Sequence, residues 1–128
     1  MRVRAREIDV AMVPTSILPY LGRDLGQHHV TPGVEYEVHA LVAHAGLVSV
    51  QIVNDLKWPH WSPVWAFDVI DRTLPDDWIC SVLKNGSWLV LGPTFLAATA
   101  EDYDAMVDLE ADKQTQFWRR VRSRSAPN

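Results

Sequence analysis

Val34-Glu-Tyr-Glu-Val-His-Ala-Leu-Val-Ala43, followed by His44-Ala-Gly46 and Leu47-Val-Ser-Val-Gln-Ile-Val53, is the stretch that decides the fold. Tyr36, Val38, Ala40 and Val42 take every second position, and Glu35, Glu37 and His39 lie between them. A period of two separates an apolar face from a polar one, the mark of a half-buried strand. Pro32-Gly33 opens the run as a turn pair, and His44-Ala45-Gly46 reverses it. Val48, Val50 and Ile52 repeat the alternation on the return, and Asn54-Asp55 closes that strand. The spacing predicts an antiparallel hairpin.

Further strands are expected on the C-terminal side of this hairpin. Trp65 to Ile70 reads as a strand, and Asp71 to Asp77 as a turn built on Pro75. Trp78–Leu83 and Trp88–Leu91 flank Lys84-Asn-Gly-Ser87, and Asn-Gly between apolar runs is a strong hairpin signal. Five strands between 34 and 91 suit a small antiparallel barrel or sandwich. Between them, Leu56-Lys-Trp-Pro-His-Trp-Ser-Pro-Val-Trp65 carries Pro59 and Pro63, which exclude a central strand or a helix interior. An ordered, aromatic-rich loop is expected there.

On the N-terminal side, Val3 to Val13 alternates loosely, with Ile8, Val10 and Met12 on one face, and predicts an extension strand. Pro14 and Pro19 bracket a turn, and Tyr20 to Gln27 reads as a short helix or an irregular loop. At the other end Thr99 can cap a helix whose first turn holds Glu101 and Asp102. Tyr103, Met106, Val107, Ala111, Gln114, Trp118 and Val121 then recur at three- and four-residue steps as one stripe. Acids dominate 101–112 and bases 113–124, which complements the helix dipole. One domain is expected over 1–128. It divides into an extension (1–31), a β core (32–92), a helical segment (99–122) and a frayed tail (123–128).

Composition narrows the function. The chain has 128 residues, 48% of them hydrophobic and 22% charged, enough to fill one core. A net charge of −4 argues against a nucleic-acid binder, whose footprint is basic. One cysteine excludes an internal disulfide and any Cys-rich zinc site. No stretch approaches the ~20 apolar residues of a membrane span, and no apolar leader follows the basic start. A soluble, cytoplasmic protein is expected.

No motif fixes a chemistry. The adjacent His28 and His29 diverge on either a strand or a helix, and His39 and His44 share no ligand spacing with a carboxylate, so no metal or cofactor is expected. Cys80 stands among Ile79 and Val82 and reads as a small buried hydrophobe. Paired acids such as Asp76-Asp77 have ready explanations in turns, and Gly22-x-x-x-Gly26 lacks the Lys-Ser/Thr of a phosphate loop. The unusual feature is aromatic: six tryptophans, of which Trp58, Trp61 and Trp65 lie within eight residues. Trp65, Trp78 and Trp88 fall in strands and read as core. Trp58 and Trp61 stand beside prolines with Asp55, Lys57 and His60, and rigid loops carrying amphipathic aromatics are what interfaces use as anchors. Asp55, Lys57, Trp58, His60 and Trp61 are therefore the candidate partner-binding residues.

Four segments also carry a resemblance: Tyr36-Glu-Val-His-Ala-Leu41, Val50-Gln-Ile-Val-Asn-Asp55, Trp61-Ser-Pro-Val-Trp-Ala-Phe-Asp-Val-Ile-Asp71 and Leu74-Pro-Asp-Asp-Trp-Ile-Cys-Ser81. Over about residues 32–82 the chain resembles small bacterial proteins with an SH3-like barrel, several of which look like immunity proteins of toxin–immunity systems. The resemblance implies an α+β fold: a small antiparallel five-stranded SH3-like barrel with an N-terminal extension strand and a C-terminal helix. It implies a non-enzymatic role, stoichiometric neutralisation of a protein toxin. Glu35, Glu37, Asp55, Asp71, Asp76 and Asp77 at one end of the barrel would suit a basic partner. Two alternatives stand beside it: a small-molecule or peptide-binding domain with a Trp-lined cleft, and a Cys/His hydrolase using Cys80 with His39 or His60.

Overall fold

A computed structural model describes residues 1–16, 18 and 29–125. Among them are eight strands: β1 (Arg2–Ala5), β2 (Glu35–Glu37), β3 (Ala40–His44), β4 (Leu47–Val53), β5 (Pro59–Pro63), β6 (Phe67–Asp71), β7 (Trp78–Leu83) and β8 (Trp88–Pro93). Three helices follow, α1 (Thr94–Ala97), α2 (Ala100–Val107) and α3 (Ala111–Ser125). The fold is mixed α+β, with two antiparallel sheets ordered β2-β1-β6 and β5-β4-β3-β8-β7. The expected single five-stranded barrel is thus corrected to two open sheets, of three and five strands.

The reason lies in the deciding stretch. Its alternation runs unbroken through 34–43, yet the chain changes sheets in the middle. The His39 N–H donates to the Gln51 carbonyl at 2.8 Å while Ala40 is the residue registered opposite Gln51. Two residues facing one make a β-bulge, which bends the strand and re-aims its side chains. Before the bulge, Tyr36 and Val38 pack with Val3, Ala5, Val50, Ile52, Ala66 and Phe67 between the two sheets. After it, Ala40 and Val42 pack with Val90, Leu96, Ala97, Tyr103, Met106 and Phe117 under the helices. The same residues are buried as expected, but in two cores. His39, assigned to the polar face, is only 4% exposed and meets Phe117 edge-on at 5.2 Å.

The extension strand is shorter than expected and lies inside the fold. β1 is the middle strand of the smaller sheet, with Val3 and Ala5 inward and Arg2 and Arg4 outward beside Glu35. It ends at Ala5, and Val10–Met12 is a 3₁₀ turn whose Ala11 N–H donates to the Asp9 side chain. The helix or loop expected over 20–27 lies outside the described residues. Trp65, expected to start a strand, sits in a 3₁₀ turn (Val64–Ala66) that leads into β6.

Both hairpins follow the sequence. Ala45 and Gly46 have φ of 52° and 78°, and His44 pairs with Leu47 across them. Lys84, Asn85 and Gly86 likewise have positive φ between the paired Leu83 and Trp88. In the helical segment the Thr99 hydroxyl accepts the Asp102 N–H at 3.0 Å, as the capping signal predicts. The single stripe does not survive. Leu109, at φ 54°, interrupts the helix, and the Glu110 N–H turns back to the Ala105 carbonyl. This resets the rotation, so Val107 is exposed while Phe117, outside the expected stripe, is fully buried. α3 continues through 123–125, part of the segment expected to fray.

Cys80 is exposed, which corrects its reading as a core residue. β7 is an edge strand, and cover from the smaller sheet reaches Trp78 only. Cys80 and Val82, next on that face, stand bare.

Candidate protein-binding site

Prolines shape the segment 54–63 differently from the expected loop. Pro59–Pro63 is β5, an edge strand paired with β4 from Val53↔Pro59 to Ser49↔Pro63. An edge strand tolerates proline because only one side of it needs N–H donors. The true turn is 54–58. The buried Asn54 holds it, its Oδ1 accepting the N–H groups of Leu56 (3.1 Å) and Trp58 (3.0 Å). Its own N–H donates to the Trp58 carbonyl at 3.0 Å, and its carbonyl accepts the Lys57 N–H at 2.9 Å. Lys57 takes φ 64° to close the turn.

Asp55 ties this turn to the smaller sheet. Its carboxylate accepts the Tyr36 hydroxyl and the Thr31 hydroxyl, both at 2.6 Å, and the Thr31 N–H donates to Tyr36 Oη at 2.9 Å. The Asp55 N–H donates to the His29 carbonyl at 2.8 Å. The Thr31 and Tyr36 bonds hold the Asp55 carboxyl below its ordinary range. Burial and the anion beside it push the Tyr36 phenol up. The turn is a clamped platform. Trp58, 51% exposed, stands on it.

A cleft of about 410 Å³ opens beside the platform, between β2 and α3, lined by Asp55, Lys57, Tyr36, Glu37, His39 and Trp118 among others. Burial acts to raise the Glu37 carboxyl, but the bond from Arg124 Nε at 2.6 Å and the neighbouring positive charge outweigh it and bring it down. Burial lowers His39 to about 4; Glu37 opposes the shift, while Arg124 and Arg120 add to it. The imidazole is therefore neutral at pH 7.

Of the five candidate residues, Asp55, Lys57 and Trp58 meet on the turn. Trp61 and His60 do not join them. Trp61 faces the helices, its ring 5.7 Å from Tyr103, and lines a separate pocket of about 190 Å³ with His44, Trp88 and Val107. His60 is registered opposite Ile52, on the other face of the sheet. Thr31, Tyr36, Asn54 and Trp118 were not anticipated. An Asn-Asp pair at a strand end is a turn signal that points to Asn54, whereas the Tyr36 and Trp118 contributions arise from long-range packing.

Three of the six acids expected at one end are held in ion pairs. Glu35 pairs with Arg2 and Arg4, Glu37 with Arg124, and Asp77 with Arg120. Cys80 and His60 lie on opposite edge strands of the larger sheet. Among the described residues no three His, Cys, Asp or Glu side chains converge as a metal site, and no helix is long and apolar enough to cross a membrane. Comparison with protein-family models, curated proteins and solved structures gives no match.

Proposed function

We propose that this chain is a non-enzymatic, cytoplasmic protein-binding protein of the immunity type, which neutralises a bacterial toxin by stoichiometric binding through the turn 54–58. The observation that carries this reading is Trp58: a large apolar side chain half exposed on a backbone that Asn54 and Asp55 hold in place. A preorganised anchor loses little entropy on binding, and buried tryptophans dominate many interfaces. Asp55 keeps its negative charge beside it, which suits a basic partner. The resemblance of residues 32–82 to small bacterial immunity proteins points the same way. The adjoining cleft supports a second reading, a peptide or small-molecule site that shares Asp55 and Lys57 with the turn.

The test is capture from a native lysate on the immobilised chain, with Trp58→Ala as the matched control. The expected result is one protein retained at equimolar ratio by the wild type and lost from the variant, whose toxicity in cells is suppressed by co-expressing this chain. Equal retention on a folded Trp58→Ala column, or no protection of cells, sinks the proposal.

A further inference from the structure

The sizes of the side chains on the helix face of the larger sheet leave a hollow in it. A row of short residues, Pro63, Ser49, Val42 and Val90, is registered strand to strand from β5 to β8. On one side of this row stand Leu47, His44 and Trp88, registered with one another. On the other side stands Trp61, opposite Gln51. Tall neighbours around short residues make a depression that the helices above must fill. α2 supplies Tyr103 and Val107, one turn apart on the same face, and does not fill it. What remains is the pocket of about 190 Å³. Tyr103 and Val42, 5% and 6% exposed, form its floor, and Val107, 45% exposed, stands at its rim.

We propose that this pocket is a binding site for a small, free, neutral aromatic molecule, a single ring system of the size of benzene or indole. Size is the first argument. An apolar cavity of about 150 Å³ stays dry and takes up benzene, and this one is slightly larger. A volume this small holds a ring but not the backbone on both sides of it, which selects a free molecule over the side chain of a polypeptide.

Charge is the second. Among the described residues that line the pocket none is Asp, Glu, Lys or Arg, so an ion entering it would lose water without gaining a counter-charge. Aromatic walls could still attract an ammonium group, but that place is taken. His44 stacks on Trp88 at 3.8 Å, and the Lys84 ammonium stands 4.9 Å from the centre of Trp88 and 5.8 Å from that of Tyr103. A second cation would meet this charge. The walls then favour an aromatic ring over an aliphatic one. Trp61 and Trp88 lie 5.7 Å and 5.4 Å from Tyr103, tilted by 50° and 53°. Inclined rings offer a further ring the edge-to-face contacts that aromatic pairs prefer. The hydroxyls of Ser49 and Tyr103 can serve one polar group on it. Burial and the neighbouring Asp104 push the Tyr103 phenol up to about 12, so it stays a neutral partner.

Titration of the isotope-labelled chain with indole, followed by the side-chain N–H signals of the tryptophans, tests this. Indole should move the Trp61 and Trp88 signals saturably, with half-saturation below about 1 mM, and leave that of Trp58 in place. Ser49→Leu fills the hollow, and Val107→Trp covers it from an exposed position. Each should weaken binding by about tenfold or more, with circular dichroism verifying the fold. If Ser49→Leu does not fold, Val107→Trp decides. Cyclohexanol, tetramethylammonium and N-acetyltryptophanamide represent an aliphatic ring, a cation and a polypeptide side chain. Each should bind several-fold more weakly than indole. Unmoved Trp61 and Trp88 signals, or undiminished indole binding by a folded variant, overturn the pocket as a site. A comparison compound that binds as tightly as indole overturns the ligand class.

Discussion

At the scale of single residues, His39 shows how one backbone irregularity sets a side chain's chemistry. The bulge opposite Gln51 carries it into the core beside Phe117, and burial holds its pKa at about 4, against 6.5 in an unfolded chain. Between those values the unfolded state binds more protons than the folded one, so stability falls as pH drops from about 6.5 towards 4. The full loss amounts to about 3 kcal/mol. His39→Phe removes this contribution. Its urea midpoint should decline less than the wild type's over that interval, and parallel declines would show that another group controls the acid limb. The bulge itself was not legible in the sequence. Tyr36, Val38, Ala40 and Val42 alternate identically whether they stay on one sheet or pass between two, and the switch depends on Gln51 and Met1, residues distant in sequence that receive the His39 and Val38 N–H bonds.

At the scale of elements, what the sequence reveals are the local devices: the two hairpin turns and the Thr99 cap, each of which satisfies its own backbone within a few residues. Where a neighbour decides, the reading fails. Cys80 and Val82 look like core because their strand is apolar, but an edge position is set by strand order, which no local pattern encodes. Leu109 breaks the helix with a positive φ that leucine rarely adopts. Gly92 is another case in which packing decides. A Cβ there would stand 3.0 Å from Ala40 Cβ and 3.1 Å from Leu96 Cδ1, where β8 meets β3 and α1. Ala40 belongs to the neighbouring strand and cannot retreat, so Gly92→Ala should cost about 1–3 kcal/mol. Gly86 has open space around it and a φ of +86°, so Gly86→Ala should cost about 1 kcal/mol through the backbone alone. Denaturation midpoints of the two variants rank these effects; an equal or reversed order would contradict the packing at Gly92.

At the scale of the whole molecule, three layers separate two tryptophans that are three residues apart. The larger sheet lies between the smaller sheet and the helices, and Trp61 belongs to the helix side while Trp58 stands on the turn before β5. Composition and proline spacing marked this segment as unusual, but only the sheet order assigns its two aromatics to different tasks. Trp61→Ala should lower stability by about 2–3 kcal/mol, since it opens a cavity against Tyr103. Trp58→Ala should stay within about 0.5 kcal/mol of the wild type, as exposed positions do. Paired thermal melts check this division. The measurement that bears most directly on the proposed function is the dissociation constant of the complex between this chain and the toxin it retains, for the wild type and for Trp58→Ala at one ionic strength. Loss of a central aromatic anchor should weaken binding by roughly 30-fold or more with the melt unchanged. An equal dissociation constant for the folded variant would contradict the assignment of the turn 54–58 as the binding surface.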